Sequence, residues 1–172
     1  MNEERRHIVE PSFHEDEIKL AKKMMDKLRT TMEFLYYMMN HRPTTPPFTM
    51  LLISTEDIHL ETMLPQWKRH TDILVEIDKE KNTYVLICQA TDSEGARKFS
   101  EILLSNIHIY KESSTYCIAT EVSSPVHSIQ DILFKMVEKY MIAKQNKDDN
   151  KIIFTRAMKG SKLFEDTVTY AQ

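Results

Sequence analysis

The sequence predicts an α+β fold: a ferredoxin-like antiparallel sheet with helices packed on it, preceded by a long N-terminal helix. Three observations carry that prediction. Apolar residues between Ile18 and Met39 recur at steps of three and four, the period of a helix. Beyond a proline-rich break, short apolar runs of strand length alternate with segments of helical period. Their order is β-α-β-β-α-β-α-β, the split βαβ pattern of ferredoxin-like sheets with one further edge strand. A chain of 172 residues accommodates one such domain and an added element.

The first helix is expected to start at Ser12-Phe13-His14-Glu15, which has capping-box spacing. Glu15, Asp16 and Glu17 then meet the positive end of the helix dipole. It runs to about Asn40, because His41-Arg42-Pro43-Thr44-Thr45-Pro46-Pro47 cannot continue a helix: proline has no amide donor and restricts the residue before it. Ile18, Ala21, Met25, Leu28, Met32, Leu35 and Met39 form a heptad a/d stripe along it. Such a stripe packs either on its own domain or against a partner helix. The strict repeat, and a helix roughly 40 Å long at 1.5 Å per residue, favour a homodimer or protein-partner seam. Phe34, Tyr36, Tyr37 and Met38 widen the apolar face near the end. The second half therefore has the means to dock on the domain while the first half pairs with a partner.

Phe48-Thr49-Met50-Leu51-Leu52-Ile53 is a short apolar run after a turn signal and reads as a buried strand. A short helix over Glu56 to Lys68 follows, interrupted by Pro65. Strands at Ile73 to Ile77 and Thr83 to Cys88 flank the polar hairpin loop Asp78-Lys79-Glu80-Lys81-Asn82. Ser93 to Ile107 carries Ala96, Phe99, Ile102, Leu103 and Ile107 at helical spacing. A strand at Thr115 to Val122 comes next. The helix from Ser128 to about Lys144 presents Ile132, Leu133, Met136, Tyr140 and Ala143, and a short strand runs from Lys151 to Phe154. The tail ends Leu163-Phe164-Glu165-Asp166-Thr167-Val168-Thr169-Tyr170, with apolar residues suited to docking on the domain or on a partner. The chain thus divides into an amphipathic helix (1–42), the α+β domain (43–154) and a tail (155–172).

Composition narrows the function classes. A hydrophobic fraction of 41% with 28% charged residues is that of a globular protein. No apolar run approaches the ~20 residues that cross a bilayer, and Met1-Asn2-Glu3-Glu4-Arg5-Arg6 is not followed by a signal core, so a cytoplasmic protein without a membrane span is expected. A net charge of −3 gives no general attraction to nucleic acid. Cys88 and Cys117 lie in apolar stretches without Cys-x-x-Cys spacing and read as reduced, buried thiols. Asp57, His59 and Glu61, at i, i+2 and i+4, do not share one helix face, so no metal, cofactor or catalytic residue is expected from them.

One further pattern concerns function. Thr71-Asp72-Ile73-Leu74-Val75-Glu76, a turn, then Thr83-Tyr84-Val85-Leu86-Ile87 and Thr91-Asp92-Ser93-Glu94-Gly95-Ala96 resembles the hairpin and following helix of the GGDEF family, the domain that makes cyclic di-GMP. Tyr116-Cys117-Ile118-Ala119-Thr120 is similar to that family's Val-Ser-Ile-Gly-Val strand. Met136 to Lys144 stands where the family has a helix ending Tyr-x-Ala-Lys, keeping Ala143 and Lys144, and Asn150 falls near the asparagine that follows. The resemblance implies a nucleotidyl-cyclase-type sheet and, equally, a lost active site. The family's turn is Gly-Gly-Asp/Glu-Glu-Phe, whereas here it is Glu80-Lys81-Asn82-Thr83-Tyr84, and the only two glycines, Gly95 and Gly160, lie elsewhere. Joining two GTP molecules needs carboxylates that hold divalent metal at the end of the first strand and in the turn. Here that strand ends Leu52-Ile53-Ser54-Thr55, and the turn offers only Asp78 and Glu80. The connection from Ile53 to Asp72, 18 residues, also lacks room for the family's second helix, which carries guanine-binding residues.

A product-binding site of the family is matched. Many members end the helix before the second strand with Arg-x-x-Asp, which binds cyclic di-GMP, and Arg69-His70-Thr71-Asp72 occupies that place. An arginine forks onto phosphate or the guanine acceptor edge, and a carboxylate accepts the guanine N–H donors. The plain alternative is a helix-end salt bridge. The resemblance thus implies a catalytically inactive GGDEF-like signalling module, in its sharper form a cyclic di-GMP receptor through Arg69 and Asp72. The alternative is a nucleotide-independent interaction or dimerisation scaffold. A residual GTP-binding enzyme relying on Asp78 and Glu80 ranks third. Lys144, Lys147 and Lys151 form either a basic edge beside the old nucleotide cleft or a solvated charge run.

Overall fold

The computed structural model describes residues 14–155 and the strand at 167–170. A long helix α1 (Glu15–His41) leads into β1 (Phe48–Thr55), α2 (Leu60–Trp67), β2 (Ile73–Asp78) and β3 (Thr83–Cys88). These are followed by α3 (Ser93–Tyr110), β4 (Thr115–Val122), α4 (Ile129–Asn146), β5 (Lys151–Thr155) and β6 (Thr167–Tyr170). The α+β architecture and the element order expected from the sequence are both present. The strands form one sheet in the order β2-β3-β1-β4-β5-β6. Its first four strands follow the ferredoxin-like order, with central β1 antiparallel to both neighbours, so that Leu51 faces Leu86 on one side and Ala119 on the other.

The sheet is mixed, whereas an antiparallel sheet was expected. β5 lies parallel to β4, because α4 returns the chain across one face before the next strand begins, as parallel neighbours require. β6 then adds antiparallel to β5, with Phe154 opposite Val168. That strand falls in the stretch read as a tail. Ser12 and Phe13 of the expected capping box, and Leu163 to Asp166, lie outside the described residues. His14 takes the N-cap position, and its side chain makes no capping bond.

Period-two alternation along β1 divides the core. Met50 and Leu52 join the face covered by α1 and α4, whereas Leu51 and Ile53 join the face covered by α2 and α3. On α1 the residues that reach the sheet are Met24, Leu28, Met32, Leu35 and Met39, all buried. This corrects the seam as a whole-length partner surface: Leu28, Met32, Leu35 and Met39 belong to the chain's own core. Ala21 and Met25 are only partly buried, and Ile18 is 56% exposed. The physical reason is phase. Adjacent residues on a helix point about 100° apart, so only one of Met24 and Met25 can lie over the sheet, and it is Met24.

The helix expected from Glu56 starts only at Leu60. Asn82, held at a left-handed φ of 48°, donates its amide to the carbonyls of Thr55 and Ile58 and keeps that stretch irregular. Pro65 does not interrupt α2, which continues to Trp67.

Candidate functional site

Three places on the molecule have the makings of a site: the Arg69–Asp72 turn, the cleft where β1 meets the β2–β3 hairpin, and a groove between α1 and α4. At the first, Asp72 N–H donates to the Arg69 carbonyl at 3.1 Å, closing the turn that joins α2 to β2. The Asp72 carboxylate accepts from the Arg69 backbone amide at 2.8 Å, from Nη2 at 2.7 Å and from Nε at 3.1 Å. Nη2 also donates to the Gln89 carbonyl at 3.2 Å and to the Thr91 hydroxyl at 2.5 Å, beyond the end of β3. Gln89 returns a bond to the Thr71 carbonyl at 2.8 Å. The Asp72 side chain has no solvent exposure, while that of Arg69 is 47% exposed. The bond to Asp72 raises the Arg69 pKa further above its ordinary value.

The structure therefore brings Arg69 and Asp72 together, as the motif suggested, but it turns them toward each other. Asp72 is enclosed and its oxygens are engaged, so a guanine edge meets no free carboxylate in this arrangement. What the turn does physically is fasten the end of α2 to the β3–α3 connection.

In the cleft, the end of β1 is occupied with internal bonding. Ser54 Oγ donates to the Lys81 carbonyl at 3.3 Å and accepts from Thr83 Oγ1 at 3.2 Å. Thr55 shares hydrogen bonds with Ser113 and Thr115. Asp78 pairs with Lys23 at 2.8 Å and accepts the backbone N–H groups of Glu80 and Lys81 at 3.1 and 3.2 Å. Burial alone would raise the Asp78 pKa; the bonds from Lys23 and the Lys81 amide outweigh it and hold it below its ordinary value. Among the described residues, no three His, Cys, Asp or Glu side chains gather as a metal site would require. A space of about 310 Å³ remains, bordered by Glu80, Asn82, Tyr116 and Lys144. The three lysines differ in their surroundings. Lys144 sits 5.5 Å from the Tyr140 ring centre, Lys147 ends α4 in a left-handed conformation, and Lys151 pairs with Asp148 at 3.4 Å.

The third place went only half noticed in the sequence. An open groove of about 420 Å³ runs between the first turns of α1 and the middle of α4, lined by Ile18, Ala21, Met25, Phe134 and Val137. The first three belong to the heptad stripe. Phe134 lies off the apolar face assigned to α4 from its periodicity, and is 39% exposed. An aromatic residue beside that face was the available signal. Cys88 and Cys117 are buried, free thiols, as expected.

Among the described residues, no helix is long and apolar enough to cross a membrane. No protein-family model matches the chain, and no curated protein matches it.

Proposed function

We propose that the protein is a non-catalytic, GGDEF-like interaction module that works without nucleotide. The observation that carries this reading is the use made of the polar groups at the two family sites. The end of β1 has hydroxyls where the chemistry needs metal-binding carboxylates, and these hydroxyls are bonded internally. The carboxylate of Asp78 is held by Lys23 and by its own loop. Asp72 is enclosed by Arg69. Meanwhile the α1–α4 face offers a small open apolar groove lined by Ile18, Ala21, Met25 and Phe134. The cyclic di-GMP receptor form keeps one supporting observation, the half-exposed guanidinium of Arg69. It requires Asp72 to leave its enclosed position.

Isothermal titration of the full chain with cyclic di-GMP and with GTP tests the reading, with Arg69→Ala as control. Neither nucleotide is expected to release heat. Micromolar binding of cyclic di-GMP that disappears in Arg69→Ala would establish the receptor form instead, and metal-dependent GTP turnover would overturn both.

A further inference from the structure

We infer that the Arg69–Asp72 turn is a latch: it holds the β3–α3 connection in a strained left-handed form at Ala90 and releases it when the guanidinium is drawn away. This goes beyond the interaction-module reading and does not depend on it.

The strain is read from the backbone. Among the described residues, Asn82, Ala90, Lys147 and Asn150 are the non-glycine residues with positive φ. Asparagine tolerates that region because its short polar side chain bonds locally, and Lys147 caps α4, where helices commonly end left-handed. Neither reason applies to Ala90, at φ 51°. Its Cβ crowds the following carbonyl oxygen in that form, so a chain left to itself would abandon it.

The bonds that oppose release lie on both sides of the residue. Arg69 Nη2 straddles it, donating to the Gln89 carbonyl before it at 3.2 Å and to the Thr91 hydroxyl after it at 2.5 Å. Gln89 is fixed again by its bond to the Thr71 carbonyl at 2.8 Å. Thr91 N–H donates to the Pro47 carbonyl at 3.0 Å, and Thr49 Oγ1 donates to the Thr91 carbonyl at 2.9 Å, which ties the connection to the start of β1. Asp72, enclosed, keeps the guanidinium in place, while the outer half of the Arg69 side chain faces solvent.

The latch also has something to move. Gln89 and Ala90 form one wall of a space of about 340 Å³ at the end of α1, whose other walls include Leu35, Met39, Arg42 and Phe48. Withdrawing Arg69 at the surface therefore alters the wall of that space, with the β3–α3 connection as the element that moves.

Hydrogen exchange of the Thr91 amide in the full chain, followed by NMR, reads opening of the connection. Ala90→Gly should slow it roughly two- to tenfold, because glycine takes the left-handed form without strain. At an unstrained position the same change would speed it, since glycine loosens the chain, so the sign decides. Arg69→Ala should speed it by about tenfold or more. In that variant Thr91 should exchange faster than Leu51 of the central strand and with little dependence on low urea, the mark of a local opening. Adding Ala90→Gly should recover part of the lost protection. Faster exchange in Ala90→Gly than in the wild type overturns the proposal. So does an Arg69→Ala chain whose Thr91 exchange is unchanged, or in which Thr91 opens only together with Leu51. Ala90→Gly retains every bond of the latch, so its outcome decides even where Arg69→Ala fails to fold. None of these outcomes bears on nucleotide binding, which the titration above decides separately.

Discussion

At the scale of single residues, the Arg69–Asp72 turn ties together two stretches about twenty residues apart in sequence, 69–72 and 89–91. Its loss should be felt in stability. Arg69→Ala leaves the enclosed Asp72 carboxylate without its cation. Breaking a buried pair costs about 3–5 kcal/mol, but the half-exposed arginine lowers the expected loss to about 1.5–3 kcal/mol, the range of bonds to charged groups. Urea unfolding should also show that Arg69→Ala and Asp72→Ala together cost less than their sum, with a coupling of about 0.5–3 kcal/mol. Additive losses would mean that the two side chains do not act as a unit. The motif was legible in the sequence because Arg-x-x-Asp spans one turn. Its occupancy was not legible, because Gln89 and Thr91, which complete the clamp, arrive from the other end of the β2–β3 hairpin.

At the scale of elements, α1 is both the longest helix and the clearest instance of what a pattern leaves open. The apolar period predicted its existence and extent, but a period of 3.5 and one of 3.6 differ little over seven residues and place different side chains inward. Met24 and Met25 decide between them. Met24→Ala empties a fully buried site and should cost about 2–5 kcal/mol, whereas Met25→Ala, at the groove, should cost markedly less by the same denaturation measurement. Equal losses would mean that the helix is rotated so that Met24 and Met25 share the sheet-facing side. Strands β3 and β4 matched their predicted limits because their apolar runs are bounded by polar turns. The parallel pairing of β5 was hidden, since a short apolar run carries no record of its neighbour's direction. For β6, Thr-Val-Thr-Tyr has the alternation of a strand, but its pairing partner is fixed only by the sheet edge that β5 leaves open.

At the scale of the whole molecule, two apolar layers enclose the central strands, and Cys88 and Cys117 lie in the layer under α3. Burial pushes each thiol up to about 12. Because the thiolate is the reactive form, an aromatic disulfide reagent at mild alkaline pH should leave both cysteines untouched in the native protein. It should modify them as urea unfolds the sheet. Rapid labelling without denaturant would show that the α3 layer opens locally. The same architecture also governs how the chain is born. The face on which α1 rests includes Ile118 of β4, Met136 of α4 and Ile153 of β5, so α1, once synthesised, waits for a strand, β5, made more than a hundred residues later. At elongation rates of ~5–20 residues per second, that wait is on the order of ten seconds. Throughout it the methionine-rich stripe of α1 lacks the sheet that finally covers it.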